Sequence, residues 1–190
     1  MRNNPWCGDE GARAILSSKN LVNLTHLDLS ANGIGDISLQ TPHITNLSTL
    51  ILESNRLDVE SARTLAGNGN FKNLTKLSLA HTHMRDSGVQ LIAKSAYLTD
   101  LVYLNLFHTG IGDSAVVALT KSENVQNVQS LYLGGNASIG SASGHALEES
   151  PCLNQLRYLD LYRTKLETVK SDGKHLKQLT TVNITEEYHC

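Results

Sequence analysis

The chain has 190 residues, with 16 basic and 18 acidic side chains and a net charge of −2. That balance gives no electrostatic drive toward nucleic acid or an anionic membrane, and no run of 18 apolar residues exists to span a bilayer. Three cysteines, Cys7, Cys152 and Cys190, are odd in number and far apart. They read as free thiols of a reducing, cytoplasmic environment and not as a disulfide framework. The start, MRNNPWCGDEG, carries no apolar signal-peptide core.

From the N-terminus, Ala12, Ile15 and Leu16 have the i, i+3, i+4 spacing of an inward helix face. Cys7-Gly8-Asp9 is echoed by Ile34-Gly35-Asp36, which places Cys7 at an apolar position expected in the core. Either Pro5 and Trp6 cap this end or the chain is trimmed there. From residue 24 a block recurs. Leu24, Leu27, Leu29, Asn32 and Ile34 open the first copy. The later copies begin at residues 47, 74, 101, 128, 156 and 179, in steps of 23, 27, 27, 27, 28 and 23. In the central copy, LVYLNLFHTGIGD, apolar residues alternating around Leu104 and Leu106 predict a short strand with one buried face. Gly112-Asp113 then turns the chain, and Asp113 is expected to cap a helix through Ala115 to Leu119.

The other copies vary this plan. The first is short and contains Pro42, so it should cross the back as extended or turn structure. In the second, Val59 stands where the capping Asp would be, and Ala62, Leu65 and Ala66 face inward. In the third, Asp86 caps, with Val89, Ile92 and Ala93 inward. In the fourth, Val116 and Leu119 face inward. The fifth has Gly134-Gly135, one extra residue in Asn136-Ala137-Ser138-Ile139, and Ser141 in place of Asp. Its helix, around Gly144 to Glu149, should be the weakest, ended by Pro151. The sixth is short, with Ser171-Asp172-Gly173 as a turn, and a seventh strand follows.

One such unit cannot bury its own apolar face and needs neighbours. Period and pattern resemble the leucine-rich-repeat family, and the copies of 27 and 28 residues resemble its ribonuclease-inhibitor-like subtype. The resemblance implies an α/β solenoid, a short horseshoe with a parallel concave sheet and helices or turns on the convex side. It makes residues 1–190 one domain: an incomplete repeat over 1–23, six repeats over 24–178, and a terminal strand and tail over 179–190. It also implies that Asn32, Asn55, Thr82, Thr109, Asn136 and Thr164 point inward and hydrogen-bond backbone of neighbouring turns, a structural role. Glycosylation sequons begin at Asn23, Asn46, Asn73, Asn136 and Asn183, and three share one repeat position, which reads as a product of the template.

Residues flanking the leucines should line the concave face in columns. Five of the nine aromatics, Tyr103, Phe107, Tyr132, Tyr158 and Tyr162, fall there on three consecutive strands. At about 4.8 Å per strand they would form one patch roughly 10 Å across. Asp160 and Arg163 are read as its polar rim, with His108 beside it. His81 and His108 are cross-strand neighbours without an obvious third metal ligand, and His83 is expected to point elsewhere. Nothing marks an activated nucleophile, an oxyanion hole or a phosphate loop, so no cofactor, metal or catalysis is expected. Exposed aromatics on a rigid sheet suit a protein partner, and the chain should be a monomer on its own.

The family resemblance offers two settings. One is a small bacterial effector, secreted into the host cell cytosol, that binds a host protein or another effector and covers an enzyme's cleft. The other is a recognition segment of a larger cytosolic receptor, ligase adaptor or GTPase activator.

Overall fold

The computed structural model describes residue 4 and residues 7–35, 41–170 and 175–184. The expectations for Pro5, Trp6, Asp36, the turn at Ser171-Asp172-Gly173 and Cys190 lie outside the described residues.

Seven three-residue strands, β1 (His26–Asp28), β2 (Thr49–Ile51), β3 (Lys76–Ser78), β4 (Tyr103–Asn105), β5 (Ser130–Tyr132), β6 (Tyr158–Asp160) and β7 (Thr181–Asn183), pair in chain order as one parallel sheet. The register sets Leu27, Leu50, Leu77, Leu104, Leu131, Leu159 and Val182 in a single row. Leu50, Leu77, Leu104 and Leu159 are fully buried. Alternation thus decides the faces: the leucine goes in, and its two neighbours go to the open side.

The sheet ladder runs on past the strands. Leu29, Leu52, Leu79, Leu106 and Leu133 donate their amides to the next repeat's Ile51, Ser78, Asn105, Tyr132 and Asp160 carbonyls. Two residues later the backbone enters the left-handed region at Ala31, Ser54, His81, His108, Gly135 and Arg163, with φ between 53° and 72°. Five of these six are not glycine. The amides of Ala31, Ser54, His81, His108 and Gly135 also reach across to the following repeat. This corner ends each strand and starts the chain toward the back.

Among the described residues five helices lie behind the sheet: α1 (Gly8–Leu16), α2 (Val59–Gly67), α3 (Arg85–Ala93), α4 (Asp113–Thr120) and α5 (Ser141–Glu148). From α2 onward they follow the strands of the 27- and 28-residue copies, and the described parts of the two short copies contain none. The expected inward positions are buried: Ala12 and Leu16, Ala62 and Leu65, Val89 and Ile92, Val116 and Leu119. Ile15 is only partly buried. Cys7 does not enter the core; it is half-buried ahead of α1, and its Sγ occupies the space that a side chain at Gly11 would need.

The capping aspartates do not act on their own helices. Asp86 accepts from the Gly112 amide at 2.6 Å and the Ser114 hydroxyl at 2.6 Å, at the start of α4. Asp113 accepts from the Gly140 amide at 2.8 Å and from the Ser143 amide and hydroxyl, at the start of α5. Asp9 makes the same bond to the Gly35 amide at 2.8 Å. Each carboxylate therefore satisfies the orphan donors of the next turn of the solenoid. Ser141 can replace Asp in α5 because its N-terminus is already served by Asp113. Only α2 is capped from within, by Asp58, which accepts from Glu60 and Ser61 one residue before Val59.

Helix C-termini are closed from the other direction. Ser95, Ser122 and Ser150 donate to Ala66, Ala93 and Thr120 carbonyls, 29 or 30 residues earlier, at 2.5–2.7 Å.

The Asn and Thr at the shared buried position divide. Asn55 accepts from Asn32 and Ile34 and donates to Leu29 and Leu52, stitching two repeats together. Asn136 does the same between Thr109, Gly110, Leu106 and Leu133. Thr82, Thr109 and Thr164 donate instead to Leu79, Leu106 and Leu161 of their own turns, because the shorter side chain does not span the gap. The recurring sequon asparagines have a structural use as well: Asn46 and Asn73 donate to Val22 and Thr45 of the preceding repeat.

Candidate functional site

The register puts Tyr103 and Tyr158 in one concave column and Tyr132 in the next, offset by one strand each way. Their rings form a zigzag ladder, with Tyr103 to Tyr132 at 5.1 Å and Tyr132 to Tyr158 at 5.0 Å between centroids, tilted 43° and 39°. These separations favour aromatic contact. All three rings are half-buried. Lys76 Nζ lies 4.5 Å from the Tyr103 ring centre, a cation–π contact that closes one end of the ladder.

Burial first, then the neighbouring Tyr132 and Glu53, push the Tyr103 pKa up to about 12. Burial, then Asp160 and Tyr132, push Tyr158 upward as well, against an opposing hydrogen bond from Asn183. Tyr103 and Tyr158 therefore stay neutral across the physiological range.

Phe107, Tyr162 and Arg163 are not part of this ladder. The Phe107 ring packs 5.3 Å from His81, seated over Gly134 and Gly135. A Cβ on Gly134 would stand 3.0 Å from Phe107 Cε2, and one on Gly135 3.2 Å from its Cζ. That the glycine pair seats Phe107 is not evident from the spacing of the repeats; its signal in the sequence is two missing side chains beside an aromatic in the same columns. Tyr162 stands on the far side of the glycines, with the Arg163 guanidinium 5.0 Å from its ring centre.

Asp160 is not a rim residue. It is 4% exposed, accepts from Asn183 at 2.7 Å and takes the Tyr162 amide at 3.3 Å. Asn105 does the same for the Phe107 amide at 3.0 Å, and Asp28 for Ser30 at 3.0 Å. These side chains brace the strand-to-corner step beneath the aromatics.

His81, His83 and His108 come together. Their side chains line a cleft of about 520 Å³ at the sheet's rim, with Arg85 and the turns Thr109–Ile111 and Gly135–Ser138. The His81 and His108 rings are 5.1 Å apart. His83 is drawn in because the left-handed corner at His81 breaks the two-residue alternation on which the opposite expectation rests. Among the described residues no group of three His, Cys, Asp or Glu side chains is placed to hold a metal. No helix among them is long and apolar enough to cross a membrane.

A family model described as a leucine rich repeat matches residues 20–41, 72–93 and 97–119, the first, third and fourth copies. These three copies match as leucine-rich repeats, and the single parallel sheet with helices behind it is the solenoid fold such repeats build. The fold of the chain is similar to that of an internalin, InlF, from Listeria monocytogenes, with TM-score 0.56 and 24% identity over 87% of this chain and 49% of that one. It is also similar to the plant peptide hormone receptor RGFR1 in complex with RGF2, with TM-score 0.52 and 23% identity over 86% of this chain and 24% of the receptor. This chain thus spans about half of one relative and a quarter of the other, and at these identities the likeness is one of fold. No curated protein matches the chain in sequence.

Proposed function

We propose that this leucine-rich-repeat chain is a non-enzymatic recognition module that binds a protein through its concave face. The observation that carries the reading is the Tyr103–Tyr132–Tyr158 ladder: three half-buried rings in mutual contact on a braced sheet. Rings already fixed by neighbours lose little side-chain entropy on binding and bury large area, which is how a few residues dominate an affinity. Repeats of this architecture form the peptide hormone receptor RGFR1, whose structure holds RGF2, and that supports a polypeptide ligand here.

Helices behind the 27- and 28-residue repeats support the ribonuclease-inhibitor-like subtype. With it comes the preferred setting: an effector secreted by a bacterium into the host cytosol, covering an enzyme's cleft with a rigid surface and so inhibiting it. Free Cys7 and Cys152 suit that reducing compartment.

The test is a pull-down with the ladder intact and with Tyr132→Ala and Tyr158→Ala combined, the bound protein then being titrated. The double variant is expected to bind more weakly by over about 2 kcal/mol, near thirtyfold, with its melting temperature close to the parent's. Lys94→Ala, exposed at the C-terminal end of α3, serves as the neutral control. Unchanged affinity in the double variant would move the site off the concave face.

A further inference from the structure

The rim cleft is chemically unlike the ladder beside it. Four exposed basic side chains, His81, His83, Arg85 and His108, line it, and among the described residues no carboxylate does. The acids near it are committed elsewhere. Asp58 holds the Glu60 and Ser61 amides, Asp86 holds Gly112 and Ser114, and Glu53 accepts from Ser78 at 2.6 Å. In a chain of net charge −2 with its histidines neutral, the cleft gathers one fixed cation, Arg85, and three imidazoles that become cations on protonation.

The geometry points to an anion site that receives Glu or Asp carboxylates of an acidic segment on the docked partner, with protons taken up on binding. His108 Nδ1 lies 3.2 Å from the Gly135 carbonyl, which can only accept, so Nδ1 carries the hydrogen. The neutral ring therefore offers a lone pair at Nε2, which repels an anion, and only the imidazolium offers a second N–H. His81 and His108, 5.1 Å apart, are close enough for one anion to lie against both. An anion favours the protonated rings, so affinity should rise as the pH is lowered. Phe107, packed 5.3 Å from His81, joins the cleft to the aromatic face, so one partner can occupy both.

This assignment deepens the recognition reading and rests on it, and a separate experiment tests it. A hexaglutamate peptide with blocked ends is titrated into the full chain at pH 5.5 and pH 7.5 at constant ionic strength, followed by the histidine resonances in NMR spectra. Binding is expected to be at least tenfold tighter at pH 5.5, with His81 and His108 shifting most and hexaglutamine giving no shift. The pair His81→Asn and His108→Asn keeps a residue type that tolerates the left-handed corner. It should fold, as its melt will report, and lower the pH ratio below about threefold. No binding at pH 5.5, or an unchanged ratio in the folded pair variant, would overturn the assignment. So would inorganic phosphate binding more tightly than hexaglutamate, since the cleft would then be matched to a phosphate group. Failure here leaves the tyrosine titration standing, and failure of that titration leaves this one readable, because the two sets of variants share no residue.

Discussion

Ala31, Ser54, His81, His108 and Arg163 all hold φ between 53° and 56°, a conformation that costs a non-glycine residue roughly 1–2 kcal/mol. The compensation for the first four is one cross-repeat hydrogen bond from each amide. The same corner aims His81 and His108 out of the concave columns and into the rim cleft. Asp113 shows a single side chain working between repeats. Burial acts to raise its pKa, but hydrogen bonds from the Ser143 hydroxyl and the Gly140 and Ser143 amides, with help from Lys165, bring it below 3.8. A carboxyl depressed in the fold contributes stability above its unfolded value and loses it as pH falls through the folded one. The stability advantage of the parent over Asp113→Asn should thus be full between pH 5 and 7 and shrink below about pH 3.8. Urea melts across that range read it directly, and a gap independent of pH would remove the carboxylate's charge from the account.

At the scale of the element, the strands and the buried faces of the helices were legible because their signals are local. Leucine alternation fixed β1 to β7, and spacings of three and four fixed the inward sides of α1 to α4. The caps were not legible, since their partners lie 26 to 30 residues away and a single helix reads as though it must cap itself. Ser122 is the clearest case: its hydroxyl closes the Ala93 carbonyl at 2.5 Å and accepts the Asn124 amide at 3.1 Å, all buried. Ser122→Ala leaves both groups without that partner and should cost about 1–3 kcal/mol. Hydrogen exchange should place the added opening at the end of α3 as well as at Asn124. Loosening confined to the mutated repeat would show that the bond contributes nothing across the boundary.

For the whole molecule, stability is a sum over neighbours, and the middle of the array has neighbours on both sides. Leu104 lies between Leu77 and Leu131 in the row and is fully buried, at 0% accessible surface. Leu104→Ala should lower stability by roughly 2–5 kcal/mol in a thermal or urea melt, because the row of leucines on either side cannot close the cavity. An unshifted melt would mean the row is not the core. The candidate site was only half legible at this scale. Strand alternation gave the columns holding Tyr103, Tyr132 and Tyr158. It failed past the third leucine, where the corner takes over and separates Phe107, His108, Tyr162 and Arg163 from the ladder. It also treated Asp160 as surface, because burial by Asn183 from the next strand has no trace in its own repeat.

The forward-handed caps also constrain how such an array can be edited. Asp86 and Asp113 write a requirement into the following copy, and Ser95, Ser122 and Ser150 answer one from the copy before. Duplicating or deleting a whole period at matching points within the helical copies keeps a carboxylate facing each following helix start and a serine facing each preceding helix end. Cutting out the same number of residues at unmatched points does not. The heritable module is the seam between two copies, and substitutions that compensate one another should be sought one period apart in the chain.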